Sequence, residues 1–220
     1  MAEAAGLGGT DIDLGKGLTG CRTLSASGAM RVRGDELDVM TTAVKTSRPG
    51  VIFDRDGVLN IDHGYVGQVE RLEWTQGARR AIGRLNAAGV AVAVATNQSG
   101  VARGYFDEAA VDRVHEAMRA HLAAEGAWID AIYMCPFLAD ATVPAYLHPD
   151  HPDRKPNPGM VLRAIAELGL DPERTLLIGD KDSDLEAARG GGVAGFLFEG
   201  GDLEAFIQAP AIGDRLGVKP

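Results

Sequence analysis

Residues 51–60 read VIFDRDGVLN, an apolar run that passes directly into Asp54 and Asp56 with one arginine between them. A run this short, apolar and bounded by polar residues has the pattern of a strand buried on both faces. A strand of that kind needs helices above and below it, so the sequence around it should alternate strands with amphipathic helices.

It does. Further strands are expected at 90–95 (VAVAVA), 129–134, 175–178 and 193–198, each short, apolar and flanked by Gly or polar residues. Between them, Ala78, Ile82 and Leu85 make one helical stripe closed by Gly89. Val111, Val114, Met118 and Leu122 make a second on a helix near 107–124, whose His115 and His121 lie off the stripe and are expected in solvent. Asn157 is expected to cap a third helix with Pro158 at its first position, and Gly169 to end it. Trp74 and Trp128 are read as packing residues. The alternation predicts an α/β, three-layer Rossmann-like fold with a central parallel sheet, and the spacing between strands leaves no room for a separate cap domain.

Composition sets the outer bounds. A net charge of -9 offers no basic footprint for nucleic acid or an anionic membrane, and no apolar run is long enough to cross a bilayer. Two cysteines, Cys21 and Cys135, and no charged-then-apolar leader make a cytoplasmic protein the expectation, with a monomer the default state. Residues 1–48 are rich in Gly, Ala, Ser and Thr without sustained periodicity and read as a disordered tail, with 49–220 as the folded domain. Met40 is a candidate for the true start.

In a parallel sheet, ligands bind beyond the carboxyl ends of the strands. Asp54 and Asp56 leave the first strand there, with Arg55 expected to turn away between them and Gly57 freeing the backbone to turn. At the next strand end, Thr96, Asn97, Gln98 and Ser99 offer hydroxyl, amide and backbone donors suited to a phosphate. Asp180 follows a later strand, and Arg154 and Lys155 precede the Pro-stiffened helix. Taken singly these are helix caps, polar loops and solvated charges. Taken together they are what phosphoryl transfer to a carboxylate requires: a nucleophilic acid, a cation to offset its repulsion from phosphate, fixed donors, and a second acid for the leaving group.

DRDGVLN, TNQSG, RKP and GDKDSD together resemble the haloacid dehalogenase superfamily of aspartyl-phosphate phosphatases over roughly residues 50 to 200. Within it, IDHGYVGQVERLEW and TNQSGVARGYF resemble the D-glycero-D-manno-heptose 1,7-bisphosphate phosphatases, relatives of the histidinol-phosphatases. The resemblance implies Asp54 as nucleophile, Asp56 as general acid/base, and Mg2+ held by Asp54, Asp56 (through its carbonyl) and Asp180. It implies Thr96 and Lys155 on the phosphoryl group, and substrate contacts from Asp62, His63, Gly64, Tyr65, Asn97, Gln98, Ser99, Arg154 and Lys181. The expected substrate is a small sugar phosphate, with the 7-phosphate of a heptose 1,7-bisphosphate ahead of histidinol phosphate. A receiver-like signalling domain, which also has a parallel sheet and a phospho-accepting Asp, is the reading from another class.

One segment departs from the family pattern. Members commonly carry a zinc loop with a Cys-Pro-His opening and two later cysteines, whereas this chain reads CPFLADATVPAYLHPDHPDRKP. Cys135 stands alone, Phe137 takes the histidine's place, and His151 and Asp153 stand where the later cysteines would be, with His148 a conceivable fourth ligand. Structural zinc favours four Cys and His ligands, so zinc is not expected. Pro144, Pro149 and Pro152 are expected to stiffen the loop instead.

Overall fold

The computed structural model describes residues 47–217. The expected tail and the choice of Met40 as start therefore lie outside the described residues, except that Arg48 opens the first strand. Five strands, β1 (Arg48–Phe53), β2 (Ala91–Asn97), β3 (Ala131–Cys135), β4 (Leu170–Gly179) and β5 (Ala194–Leu197), form one all-parallel sheet in the order β3-β2-β1-β4-β5. The helices are α1 (Ala78–Ala87), α2 (Ser99–Ala102), α3 (Glu108–Ala123), α4 (Gly159–Leu168), α5 (Asp182–Gly190), α6 (Leu203–Gln208) and α7 (Pro210–Leu216). β1 is central, and the chain reverses its direction of travel across the sheet beside it. That reversal is where a doubly wound sheet opens a crevice.

Strand alternation divides the interior into two cores. Val51, Phe53, Val92, Val94, Leu176 and Ile178 face one way, into a core shared with α1, α3, α6 and α7. Ile52, Ala91, Ala93, Ala95 and Leu177 face the other, against α4 and α5. The VAVAVA pattern thus has a reason: valines fill the deeper layer while alanines let α4 and α5 sit close to the sheet. No separate cap domain occurs among the described residues, since the segments between β1 and α1 and between β3 and α4 hold only short 3-10 turns.

Several local expectations are corrected. β1 starts three residues earlier than the apolar run, because the Arg48 guanidinium pairs with Asp130 Oδ1 at 3.1 Å and the Arg48 backbone N–H donates to the Gly169 carbonyl. Asp130 also accepts the Val92 N–H at 2.8 Å, which delays β3 to Ala131. Asn157 does not cap α4: its amide is spent on Asp150 and the His151 carbonyl, and Pro158 occupies the N-cap position. Gly169, in the left-handed region at φ 61, ends α4 as expected. Trp128 is mostly exposed rather than packed, whereas Trp74 packs against the larger core and donates to His121 Nδ1.

Candidate active site

Asp54 and Asp180 leave the adjacent strands β1 and β4, whose paired register, Phe53 against Ile178, brings both carboxylates to the same edge. Asp184, in the first turn of α5, completes a group: one oxygen from each of Asp54, Asp180 and Asp184 lies within 4.8 Å of the others. Two glycines make room for it. A side chain on Gly57, which sits at φ 90, would collide with the Asp180 carboxylate, and one on Gly179 would collide with Asp184. The glycines of DRDG and IGD are therefore clearance for the acids.

Lys155 crosses this group. Its ammonium is buried, 2.8 Å from Asp54 Oδ1 and 2.5 Å from Asp184 Oδ1. The lysine is fixed through its backbone, because the Asn97 side chain donates to the Lys155 carbonyl at 2.9 Å and accepts its N–H at 3.1 Å. Burial pushes the Asp54 carboxyl up to about 6, against the pull of Lys155 and with the help of Asp184. Burial alone would lower Lys155, but its two carboxylate partners outweigh it and hold the ammonium above its ordinary value. Three carboxylates, two of them sharing the buried Lys155 and the third beside Lys181, form an all-oxygen donor set with surplus negative charge, which fits a hard divalent cation such as Mg2+.

Asp56 stands apart from that group. Arg55, 0% exposed, does not turn away as strand alternation predicts, because the extended conformation ends at Phe53. Its guanidinium doubles back to Asp56, with Nη2 3.0 Å from Oδ1 and 2.9 Å from Oδ2. It also donates to the Val66 carbonyl at 2.7 Å and to Gln98 Oε1 at 3.2 Å. Asp56 further accepts from Asn60 Nδ2 at 2.9 Å and Gln98 Nε2 at 2.8 Å, so both its oxygens are engaged. His115 lies on the far side of the arginine. It is buried, not solvated, with Nε2 3.3 Å from Arg55 Nη1. Burial, reinforced by Arg55 and Arg119, pushes its imidazole down to about 3, so it is neutral and accepts a hydrogen bond from the Arg55 guanidinium through a bare Nε2.

These groups open on a cavity of about 470 Å³ lined by Asp54, Asp56, Asp62, Gly64, Tyr65, Asn97, Gln98, Ser99, Arg154, Lys155, Lys181 and Asp184, among others. Most of the residues expected from the sequence thus meet in one place. Thr96 is buried behind the lining with its hydroxyl accepting from Gln98 Nε2 at 2.8 Å. His63 is not among the lining residues; its Nε2 lies 2.9 Å from Glu73 Oε2 on the exposed side of the loop. Lys181 sits 3.1 Å from Asp180 Oδ2 and 3.8 Å from Asp62, and Arg154 donates to the Phe137 carbonyl at 3.0 Å. A larger groove of about 920 Å³, between Gly67–Glu70 and Phe106–Arg113, contains none of the expected site residues. Asp184 and the Arg55–His115 pair were not singled out from sequence.

The loop after β3 does not gather zinc ligands. Cys135 Sγ and His151 Nδ1 are 3.8 Å apart, but that nitrogen accepts the Asp153 N–H at 3.1 Å. His148 Nδ1 accepts the Asp150 N–H, and Asp153 Oδ2 pairs with Arg163 at 2.9 Å. Phe137 stacks on the His151 ring at 4.1 Å and 4°, with Tyr146 and His148 edge-on to it. An aromatic cluster thus occupies the heart of the loop, and this donor set does not fit tetrahedral zinc.

A HAD-hydrolase-like family model matches residues 153–211. With the doubly wound sheet and the Asp54–Lys155–Asp184 centre, this defines the class as a haloacid dehalogenase-type hydrolase. The chain is 45% identical over 168 residues to the D-glycero-beta-D-manno-heptose-1,7-bisphosphate 7-phosphatase of Rhodopseudomonas palustris, covering 76% of this chain and 92% of that one. It belongs to that family of haloacid dehalogenase-type phosphatases. Among solved structures, a HAD-like phosphatase from Mesorhizobium loti matches with TM-score 0.66 and 38% identity over 70% of this chain and 74% of that one. The D,D-heptose 1,7-bisphosphate phosphatase of B. bronchiseptica, complexed with magnesium and phosphate, matches with TM-score 0.62 and 36% identity over 71% and 84%.

Proposed function

We propose that the protein is a Mg2+-dependent phosphatase that removes the 7-phosphate of D-glycero-D-manno-heptose 1,7-bisphosphate through an aspartyl-phosphate on Asp54. The observation that carries this is the Lys155 ammonium bridging Asp54 and Asp184 at 2.8 and 2.5 Å, with Asp180 at the same point. An Asp54 oxygen attacks phosphorus in line, the bond from phosphorus to the sugar oxygen breaks, and protonated Asp56 gives its proton to the departing alkoxide. Asp56, now a carboxylate, takes a proton from the water that attacks the phosphoryl group, and the bond to Asp54 breaks to release phosphate. The resting arrangement, with both Asp56 oxygens accepting hydrogen bonds, suits that second half. Thr96 and Lys155 stabilise the phosphoryl oxygens, and Asn97, Gln98, Ser99, Asp62, Gly64 and Tyr65 contact substrate. Asp54, Asp180 and the Asp56 carbonyl would hold Mg2+, which supplies the positive charge that lets a carboxylate approach a phosphate. Arg154 and Lys181 are the cations available to a second phosphate.

The enzyme is proposed to act as a cytoplasmic monomer; among the described residues no helix is long and apolar enough to cross a membrane. It is also proposed to work without zinc, and stoichiometric zinc in protein purified without added metal would contradict this. The central experiment is phosphate release, with Mg2+ present, from a panel containing both anomers of heptose 1,7-bisphosphate, histidinol phosphate and acetyl phosphate. Repeated turnover with a preference for a heptose bisphosphate is expected; about one phosphate per chain, or a preference for histidinol phosphate, refutes the reading.

A further inference from the structure

Tyr65 is the one non-glycine among the described residues with positive φ, at 54. A bulky residue stays in the left-handed region only where its surroundings over-determine it, and such positions cluster at ligand sites. The surroundings are specific. Arg71 donates to the carbonyls of Tyr65 at 3.3 Å and His63 at 2.5 Å, and Asp62 accepts the Gly64 N–H at 2.9 Å. Next to Tyr65, buried Val66 gives its carbonyl to Arg55 at 2.7 Å, tying this loop to the catalytic one.

The strained residue presents its ring to a second tyrosine from another loop. Tyr65 and Tyr105 meet edge-to-face, with centroids 4.8 Å apart and planes at 79°. Tyr105 follows α2, the turn that continues the Asn97–Ser99 segment, and its N–H bonds the Gly100 carbonyl at 2.9 Å. Below the pair, Phe106 closes against the α-carbons of both Gly67 and Gly100, so that a side chain on either glycine would strike its ring. The two loops are therefore packed into one unit. Yet the tyrosines themselves stay 45% and 62% exposed, and Tyr65 lines the cavity that holds Asp54. Tyr105 is not itself a lining residue and reaches the cavity's edge only through the ring of Tyr65, and a pair held this firmly and left this bare has an unsatisfied apolar face.

We propose that Tyr65 and Tyr105 form an aromatic wall against which the C–H face of a sugar phosphate packs, and that Tyr105 is a specificity-determining residue of this site. The inference rests on the sugar-phosphate reading above. Polyhydroxylated carbon chains present one face of C–H groups while their hydroxyls point elsewhere, and an edge-to-face aromatic pair offers a matching apolar surface. The phosphoryl group is held by the strand ends; the wall acts on the carbon chain beyond it.

The test compares Tyr105→Ala and Tyr105→Phe with the wild type on the heptose bisphosphates and on acetyl phosphate, which has no sugar face. Tyr105→Ala should raise KM for the sugar about tenfold with kcat within about twofold. Its kcat/KM should fall at least about fivefold more for the sugar than for acetyl phosphate. Tyr105→Phe keeps the ring and should keep the wild-type KM. An unchanged sugar KM in Tyr105→Ala, equal losses on both substrates, or a Tyr105→Phe loss as large as that of alanine overturns the wall. Wild-type rates judge the substrate reading separately. If neither heptose bisphosphate is turned over, that reading falls and the same ratios are taken on the best sugar monophosphate; if no sugar phosphate is turned over, both fall.

Discussion

Replacing His115 with glutamine should remove a specific part of the protein's acid sensitivity. In the fold, burial and Arg55 hold this imidazole down at about 3, while in the unfolded chain it titrates near 6.5. Between those values the unfolded state takes up a proton that the folded state refuses, so stability falls as pH falls, at about 1.4 kcal/mol per pH unit. From about pH 7.5 to about pH 5 the loss due to this one residue is about 2 kcal/mol. Glutamine can accept from Arg55 through its carbonyl oxygen and does not titrate, so His115→Gln should lack that loss. Asp54 acts in the opposite sense, since its raised value makes the fold bind a proton more tightly than the unfolded chain between about 4 and 6, but it is common to both proteins and cancels. The assay is urea denaturation at the two pH values without divalent metal, extrapolated linearly for each protein. Equal loss of stability in wild type and variant would refute the buried neutral imidazole and its bond to Arg55.

Lys155→Met leaves Asp54 and Asp184 facing each other without their shared cation. It should cost about 3–5 kcal/mol near neutral pH in metal-free protein, less near pH 5 as Asp54 takes a proton, and it should abolish turnover; a denaturation midpoint close to wild type at both pH values would contradict the bridge. Gly179→Ala should leave the fold intact but displace Asp184, lowering kcat by more than tenfold, and wild-type rates in a folded variant would show that the clearance does not matter. Asp54→Asn should abolish phosphate release and Asp56→Asn should slow it about 100-fold or more, as for loss of a general acid. Mg2+ affinity by calorimetry should weaken as pH falls through about 6, where protons compete for Asp54, and a pH-independent affinity would count against Asp54 as a ligand.

The fold was legible because its signals are local and redundant. VAVAVA alternates at period 2, α1 and α3 carry clean stripes, and Gly169 marks a helix end that the left-handed backbone confirms. The convergence of the strand-end residues was legible too, since parallel-sheet geometry sends every strand's carboxyl end to one edge. What escaped was set by partners distant in sequence. Asn157 looks like a cap, but Asp150 and the His151 carbonyl claim its amide. His115 looks solvated by helical position, but it flanks Val111 and Val114 where a buried arginine from another element needs an acceptor. Asp184 carried a readable signal, an acid four residues after Asp180 in a helix's first turn, but an acid there is more often only a cap. It does both jobs, accepting the Lys181 N–H at 3.1 Å through one oxygen and facing Lys155 with the other.

The two acids of DRDG have different surroundings, Asp54 against Lys155 and Asp56 against the arginine between them. Like charges about 4 Å from one another repel by about 4 kcal/mol at the effective dielectric of a protein site, so Asp54, Asp180 and Asp184 together exceed what Lys155, shared by two of them, and Lys181, beside the third, can offset. A phosphate dianion would add to that excess, and a divalent cation reverses it. A fourth bare carboxylate two residues from Asp54 would work against the same balance. Arg55 prevents this by pairing with Asp56 through both oxygens, at 3.0 and 2.9 Å. A charged arginine with 0% exposure is costly to bury, and it is supported here by the Val66 carbonyl, Gln98 and a histidine that remains neutral. The same arrangement gives each acid of one tripeptide its own cation: Asp54 shares Lys155 with Asp184, while Asp56 has Arg55.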